Sequence, residues 1–296
     1  MHFSKESLTF EQQIERLIER GLHVADKETA AAYLSHINYY RLGTYWWSFI
    51  DDHEAHTFKA DTTFEQILNL YVFDRELRLL LLDAIERIEV SLRTQWAFHL
   101  SKRYGSHAHL DKTVFTPKFA HQEFVDNILK EVDRTADKNI KKQAYKYEEA
   151  TPATWIICEV MSFGWLSRCY DAIGRRSLSM DIADTYSLNA TILSSFLHHI
   201  TSARNICAHH SRLWNRDFTI TMKLPKNGDA ELLQSFNSNA PKQLYNTLVM
   251  CAYFMDIICP NHHWKKKLKS LIEAHNIDVT NMGFPTNWLE QPIWVE

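Results

Sequence analysis

Apolar residues recur every three or four positions along most of this chain, which is the spacing of amphipathic α-helices rather than of β-strands. The run Thr9-Phe10-Glu11-Gln12 has capping-box spacing, and the helical pattern after it continues to Gly21. Asp26 can cap a second helix through Ala30–Ile37. We therefore expect the chain to begin with two short helices.

The longest helical pattern opens at another capping box, Thr62 to Glu65, and runs to about Ser101. A second stripe on this helix carries Glu86, Glu89 and Arg93. The Glu89–Arg93 spacing fits either a simple i,i+4 ion pair or a pair that orients a functional site. The apolar stripe comprises Leu70, Phe73, Leu77, Leu80, Ala84 and Ile88.

Further helices are predicted in the rest of the chain. A polar helix covers 118–149, Thr151-Pro152 caps the next helix, and a last helical block covers 241–275 with a break at Pro260. These patterns together predict an all-α fold.

Composition agrees with that fold class. The chain has 296 residues with only 7 Gly and 7 Pro, which is too few turn formers for a many-stranded β-sandwich or barrel. Its 45% apolar content argues against disorder, and its net charge of −3 gives no global positive field for nucleic acid. The five cysteines contain no Cys-x-x-Cys pair, so we expect reduced and mostly buried thiols.

Neither a signal peptide nor a membrane span is predicted. The N-terminus, Met1 to Glu6, enters a charged helical pattern with no apolar signal core. The longest apolar run, Leu248 to Met255, is far shorter than the ~20 residues that a membrane helix needs. We expect a cytoplasmic protein without membrane contact.

An aromatic stretch, Tyr39 to Trp47, has two interpretations. It can pack between helices, or it can form a platform on which bases stack. Periodicity does not separate the two.

The most informative helical pattern runs from Leu188 to Trp214. One stripe steps by three and four residues, so it should face the core, and it makes His210 a buried histidine. That stripe comprises Leu193, Phe196, Ile200, Ala203, Cys207, His210 and Trp214.

Arg204 and His209 flank this stripe on opposite sides, about 140° apart around the helix and roughly 7.5 Å apart along it. One such pair would grip a phosphate poorly. Two such helices crossing at a two-fold axis would place Arg204 of one chain near His209 of the other. The outer face between them, suited to a second helix and an anion, holds Thr201, Asn205, Ala208, Arg212 and Asn215.

The string Arg204 to Arg216, RNICAHHSRLWNR, resembles the Abi-like (abortive infection) branch of the HEPN ribonuclease superfamily. The stretch Phe73 to Arg78, running on to Glu86, Glu89 and Arg93, is similar as well, and so is Asn38 to Leu42. The resemblance spans about 10 to 220. It implies a HEPN-type helical core at 61–225, with added helical segments at 1–60 and 226–296.

The resemblance also implies a function. It suggests a homodimer through the 188–214 helix that cuts RNA without a metal or cofactor, as a toxin-like effector of bacterial defence against phage. Some relatives are restrained by a small noncoding RNA, so we expect RNA as substrate and as inhibitor.

The residue types permit transesterification within RNA, giving a 2′,3′-cyclic phosphate. His209 can move a proton at neutral pH, and Arg204 can hold the charge that develops on the phosphate. We therefore predict Arg204 and His209 as catalytic residues. The predicted supporting residues are Asn205, His210, Glu89 and Arg93, and the predicted RNA contacts are Arg212, Asn215 and Arg216.

Two other functions remain open at this stage. The same basic face could bind a structured RNA without cutting it. A zinc site is the second alternative, because several histidines crowd one helix near Cys207 and Cys259 precedes His262 and His263. No spacing matches a known zinc motif, so we predict no metal.

Overall fold

The computed structural model describes residues 6–149 and 151–295, so the N-terminal pattern predicted for residues 1–5 lies outside the described residues. Within the described residues there are thirteen α-helices and one small β-hairpin, which confirms the all-α fold class. The chain divides into a first unit, up to Arg78 together with Leu268–Asp278, and a second unit, Leu79–Lys267 together with Val279–Glu296. The domain boundaries expected at residues 60 and 225 stay a prediction.

The first unit is built from short helices, an antiparallel hairpin and parts of two longer helices. Helices α4 and α13 each continue into the second unit. The elements are α1 (Phe10–Glu19), α2 (Lys27–His36), α3 (Tyr39–Trp46), β1 (Ile50–Asp52), β2 (Thr57–Phe58), α4 (Phe64–Tyr104) and α13 (Trp264–His275).

Local capping explains where the first helices begin. Thr9 and Gln12 form the predicted capping box, and the Asp26 carboxylate accepts the Thr29 N–H at 3.0 Å. The box before α4 is displaced by one residue from the prediction, because Thr63 Oγ1 accepts the Gln66 N–H at 3.2 Å. Thr62 is buried instead and donates its hydroxyl to the Lys59 carbonyl at 2.8 Å.

A buried polar network lies inside the first unit. The Tyr45 hydroxyl donates to the Asp74 carboxylate at 2.6 Å, and Arg78 forms an ion pair with the same carboxylate. Burial raises the pKa of the Tyr45 hydroxyl well above its ordinary value, with the Asp74 charge acting in the same direction. The three polar groups satisfy one another in a site that excludes water.

The aromatic stretch of α3 divides between core and surface. Tyr45 and Trp46 are buried, which confirms the packing interpretation for these two residues. Tyr40 is 83% exposed and Trp47 is 50% exposed. Base stacking on those two rings stays a prediction.

The second unit holds the remaining helices. Its core includes Phe196 stacked on Phe254, with ring centroids 4.8 Å apart. Besides its parts of α4 and α13, the unit contains α5 (His121–Arg134), α6 (Lys138–Lys146), α7 (Thr154–Val160), α8 (Phe163–Asp171), α9 (Arg176–Asp184), α10 (Ala190–Ala208), α11 (Ala230–Ser235) and α12 (Tyr245–Ile258).

Two predicted helices differ from the structure. The helix expected over 118–149 is two helices, because α5 ends at Arg134 and the Asp137 side chain caps α6. Thr151 does not cap the next helix. Its hydroxyl lies 2.6 Å from the buried His109 ring, and α7 begins at Thr154.

The cysteine prediction is confirmed, since all five are free thiols and four of them are buried. Burial raises the pKa of Cys158 to about 12. In the described part of the chain, no helix combines the length and apolar character needed to cross a membrane.

Candidate functional site

Helix α10 presents the candidate site on its outer face. The Asn189 side chain caps its first turn by accepting the Ile192 N–H at 2.9 Å. The predicted core stripe is buried as far as Cys207, while Arg204 and Asn205 are exposed. The helix therefore places its polar residues outward as the sequence pattern indicates.

The helix ends earlier than predicted, at Ala208 rather than Trp214. His209 is the C-cap, and the next two N–H groups turn back onto the last turn: His210 donates to the Cys207 carbonyl and Ser211 to the Ile206 carbonyl, each at 3.0 Å. This is the Schellman pattern of hydrogen bonds. His210 takes the left-handed position of that motif, with φ of 56°.

This helix end shows that the prediction of a buried His210 was wrong. The side chain is exposed rather than buried, because the stripe on which it was placed stops at Cys207. Leu213 and Trp214 are buried from the loop instead. The apolar spacing correctly predicted the burial of Trp214, but the helix that was expected to reach it ends at Ala208.

Arg204 and His209 keep their predicted relation. The His209 N–H donates to the Asn205 carbonyl at 3.0 Å, so the backbone follows the α-helical path up to His209. The five-residue step then separates the two Cα positions by roughly 7.5 Å along the axis and about 140° around it. Both residues are exposed. One chain thus presents a guanidinium and an imidazole on diverging sides of a helix end.

The structure brings Glu89 and Arg93 into the electrostatic surroundings of Arg204. Glu89 and Arg93 form an i,i+4 ion pair on α4, with side chains 13% and 17% exposed. Arg93 also donates to the Met161 carbonyl at 2.8 Å, which ties α4 to the turn before α8. The pair is therefore more than an exposed contact along one helix.

The pKa of Glu89 is shifted by burial and by the charges of Arg93 and Arg204. Burial raises it, while the positive charges of Arg93 and Arg204 lower it and only partly offset the burial. Arg204 thus has a carboxylate and a second guanidinium in its surroundings. An orienting role for Glu89 and Arg93 stays a prediction.

The predicted RNA contacts lie on the loop after α10 and not on its outer face. Arg212 Nη2 donates to the Asn215 carbonyl at 3.4 Å, and Arg216 Nη1 donates to the Arg212 carbonyl at 3.2 Å. Asn215 is exposed with a left-handed φ of 46°. The prediction that Thr201 to Asn215 share a single helical face is therefore wrong, because the helix ends before Arg212.

The loop continues back along α10, which the sequence analysis missed. The His199 ring lies 2.6 Å from the Ile220 carbonyl, and the Lys223 N–H donates to Ser195 Oγ at 2.8 Å. The second contact places Lys223 beside the N-terminal half of α10. No local signal announces these contacts, because the paired residues lie more than twenty positions apart.

Residues considered for zinc have other partners. The two His199 nitrogens contact the Ile220 carbonyl and the Thr247 hydroxyl, and His262 Nε2 lies 2.9 Å from Asp256. Among the described side chains, no group of three or more His, Cys, Asp or Glu is arranged to hold a metal ion.

Comparison with known proteins supports one family. No curated protein and no solved structure matches the chain. The model of the family described as Abi-like protein matches residues 32–215, which is more than half of the 296 residues and includes Arg204, His209, Glu89 and Arg93. The chain therefore belongs to the Abi-like protein family.

Proposed function

We propose that this protein is a metal-independent endoribonuclease of bacterial abortive-infection defence, with a HEPN-type site shared between two subunits. The Abi-like family suggests the defence role. The observation that carries the nuclease proposal is the placement of Arg204 and His209, both exposed at the C-terminal end of α10. An accessible imidazole can transfer the protons and a guanidinium can stabilise the phosphate charge in RNA transesterification.

In this reaction the 2′-hydroxyl of a ribose attacks the adjacent phosphorus. The O2′–P bond forms, the P–O5′ bond breaks, and the products are a 2′,3′-cyclic phosphate and a 5′-hydroxyl. His209 removes the proton from the 2′-oxygen or supplies one to the leaving 5′-oxygen. Arg204 donates to the non-bridging oxygens, whose negative charge grows in the transition state. A substrate without the 2′-hydroxyl cannot react, so DNA is excluded.

A shared site follows from the divergence of these two side chains. One helix holds them about 140° apart around its axis and roughly 7.5 Å apart along it, so a single pair would grip one phosphate poorly. A two-fold axis beside α10 brings Arg204 of one protomer towards His209 of the other and forms two equal sites. The homodimer through α10 is part of the proposal for this reason.

The neighbouring residues have supporting roles in the proposal. Asn205, exposed beside Arg204, can hold a phosphate oxygen or orient His209. His210, turned to solvent by its left-handed backbone, can donate to the bound strand. Arg212, Asn215 and Arg216 contact the RNA backbone from the loop. Glu89 and Arg93 orient Arg204.

The first prediction concerns cleavage by the purified protein. We expect labelled RNA to be cut in the presence of EDTA, with new 5′-hydroxyl ends, and Arg204→Ala and His209→Ala each to lower the rate by about 100-fold or more. Sequencing gels and end-labelling with kinase measure both the cut and its chemistry.

Matched controls separate this effect from a general loss of charge. Arg16→Ala and His263→Ala remove the same residue types from exposed positions elsewhere in the chain, and these variants should cut at the wild-type rate. Cleavage that disappears only with chelator would contradict the assignment. If the wild type binds RNA but does not cut it, the result would support the alternative, an RNA-binding protein that uses the same face without catalysis.

Restraint by a noncoding RNA rests on the family resemblance. We expect expression of the wild type to arrest growth and His209→Ala to relieve the arrest. RNA that co-purifies with His209→Ala, and that inhibits the wild type when added back, would identify the inhibitor. Arrest that persists in His209→Ala would contradict a nuclease toxin.

A further inference from the structure

A groove with a cavity volume of about 490 Å³ lies between α8 and the N-terminal half of α10. It is separate from Arg204 and His209, and nothing in the proposed reaction uses it. Its lining mixes polar and apolar groups, and the polar groups include hydroxyls from α10. The lining includes Arg168, Asp171, Thr191, Ser194, His198 and Lys223.

Positive charge exceeds negative charge in this groove. Arg168 and Lys223 are exposed, and neither makes an ion pair with an acid among the described residues. Asp171 is the one carboxylate in the lining, and it accepts the Ser194 hydroxyl at 2.5 Å. Two fixed cations against one acid favour an anionic ligand.

The Arg168 side chain and the Lys223 backbone are held in place in this groove. The Arg168 guanidinium lies over the Trp165 ring, 3.5 Å from its centroid, in a cation–π contact. The backbone of Lys223 is fastened to Ser195, and the segment before it is fastened to His199 through the Ile220 carbonyl. A prepositioned guanidinium, beside a lysine whose backbone is anchored, binds an anion at a lower cost in conformational entropy than two freely moving side chains.

The groove also continues towards the proposed active end. Residues 191, 194, 195 and 198 lie on one face of α10, and the same steps of three and four lead on to Thr201 and Asn205. Asn205 follows His198 by about 10 Å along the axis. Along this face the exposed positions 191, 198 and 205 alternate with the half-buried positions 194, 195 and 201, so a chain of phosphates can meet exposed side chains at intervals.

We propose that this groove binds the phosphate backbone of the RNA on one side of the cut. The inference rests on the proposed nuclease function, which it extends from one phosphate to a tract along α10. Arg168 and Lys223 contact phosphates and hydroxyls of α10 contact the remaining oxygens, so the contacts position the strand and read no sequence.

The second prediction tests this tract by binding, in the His209→Ala background so that RNA stays intact. The double variant Arg168→Gln with Lys223→Gln should bind single-stranded RNA roughly three- to tenfold more weakly. The slope of log K against log salt should fall by about 0.7 for each lost phosphate contact. Filter binding at several salt concentrations, with RNAs of unrelated sequence, measures both quantities.

The matched control is Lys112→Gln with Lys226→Gln, which removes two exposed positive charges elsewhere in the second unit and should leave the slope unchanged. Thermal unfolding checks that both double variants fold like the parent. In the cleaving background, the groove variant should cut a dinucleotide at the wild-type rate and cut long RNA more slowly, because a dinucleotide is too short to reach the groove.

The outcomes separate the two proposals. An unchanged salt slope in the groove variant overturns the groove, whatever the wild type does to RNA. A slope that falls while the wild type never cuts supports the groove and overturns the nuclease. Pyrophosphate that binds through Arg168 and Lys223 without competing with RNA would show a small phosphate ligand in place of the strand, and would overturn this inference.

Discussion

At the scale of single residues, two histidines show how burial fixes a protonation state. The hydroxyl of Thr154 donates to the Ser106 carbonyl, so it must accept from His109 Nδ1, and Nε2 accepts from Thr151. Burial lowers the pKa of His109 to about 3, with the charges of His107 and His121 adding to the effect. His199, which donates to the Ile220 carbonyl, has its pKa lowered by burial as well.

The third prediction follows from His109. An unfolded histidine takes up a proton near pH 6.5, whereas the folded chain resists protonation until about pH 3, so the unfolded state binds more protons between these values. The free energy of unfolding should therefore decrease as the pH falls through this window, by at most about 1.4 kcal/mol per pH unit for this group. Urea unfolding at pH 7, 5.5 and 4.5 measures it.

His109→Gln is the informative comparison, because its amide keeps a donor and an acceptor but does not titrate near neutral pH. Its unfolding midpoint should fall less steeply with acid than that of the wild type. Parallel pH profiles for the two proteins would show that His109 does not contribute to the acid sensitivity. His199 supplies a remaining slope in both.

At the scale of elements, the end of α10 decides where the candidate residues lie. The fourth prediction compares His210→Ala with His210→Gly, which both lack the imidazole. The left-handed φ of 56° suits glycine and strains alanine. The free energy of unfolding of His210→Ala should therefore be about 1 kcal/mol lower than that of His210→Gly. Chemical denaturation measures the difference.

The same two variants test the supporting role of His210. If its imidazole assists RNA cleavage, both variants should lose activity to a similar degree although their stabilities differ. Activity that follows stability instead would assign His210 to the helix end alone. Equal stabilities of the two variants would contradict the strain argument.

Elements with local signals were predictable from the sequence. Thr9 and Asp26 cap their helices through side chains three residues from the N–H groups that they satisfy. The end of α10 was not predictable, because no glycine marks it and buried Leu213 and Trp214 continue the apolar pattern beyond it. Thr151 looked like a cap and instead contacts the distant His109, which no local pattern reveals.

For the candidate site, the sequence placed Arg204, Asn205 and His209 on the surface correctly and identified the Glu89–Arg93 pair. It did not indicate the tie from Arg93 to the Met161 carbonyl or the position of Lys223, because both depend on contacts between elements far apart in the chain. Short-range periodicity carries information about faces of helices. It carries little about which loops return to them.

At the scale of the whole molecule, the proposal depends on two chains meeting at α10. The fifth prediction mixes inactive Arg204→Ala and His209→Ala proteins in equal amounts under conditions that allow subunit exchange. A mixed dimer then holds one complete site, with Arg204 from one chain and His209 from the other. Activity should return to about a quarter of the wild-type rate, because half of the dimers are mixed and each has one of two sites intact.

A mixture that stays inactive would contradict the shared site and favour a site within each chain. Mixing either variant with itself is the control and should restore nothing. Light scattering or ultracentrifugation establishes separately whether the chains associate.

The divergence of Arg204 and His209 around one helix has a consequence for how the proposed nuclease would be controlled. If neither chain alone can complete a site, the cutting rate at low expression rises with the square of the protein concentration. A cell then tolerates a small standing amount of the protein. A modest increase in its concentration would then shift the chains into active dimers, so that expression level alone could trigger toxicity.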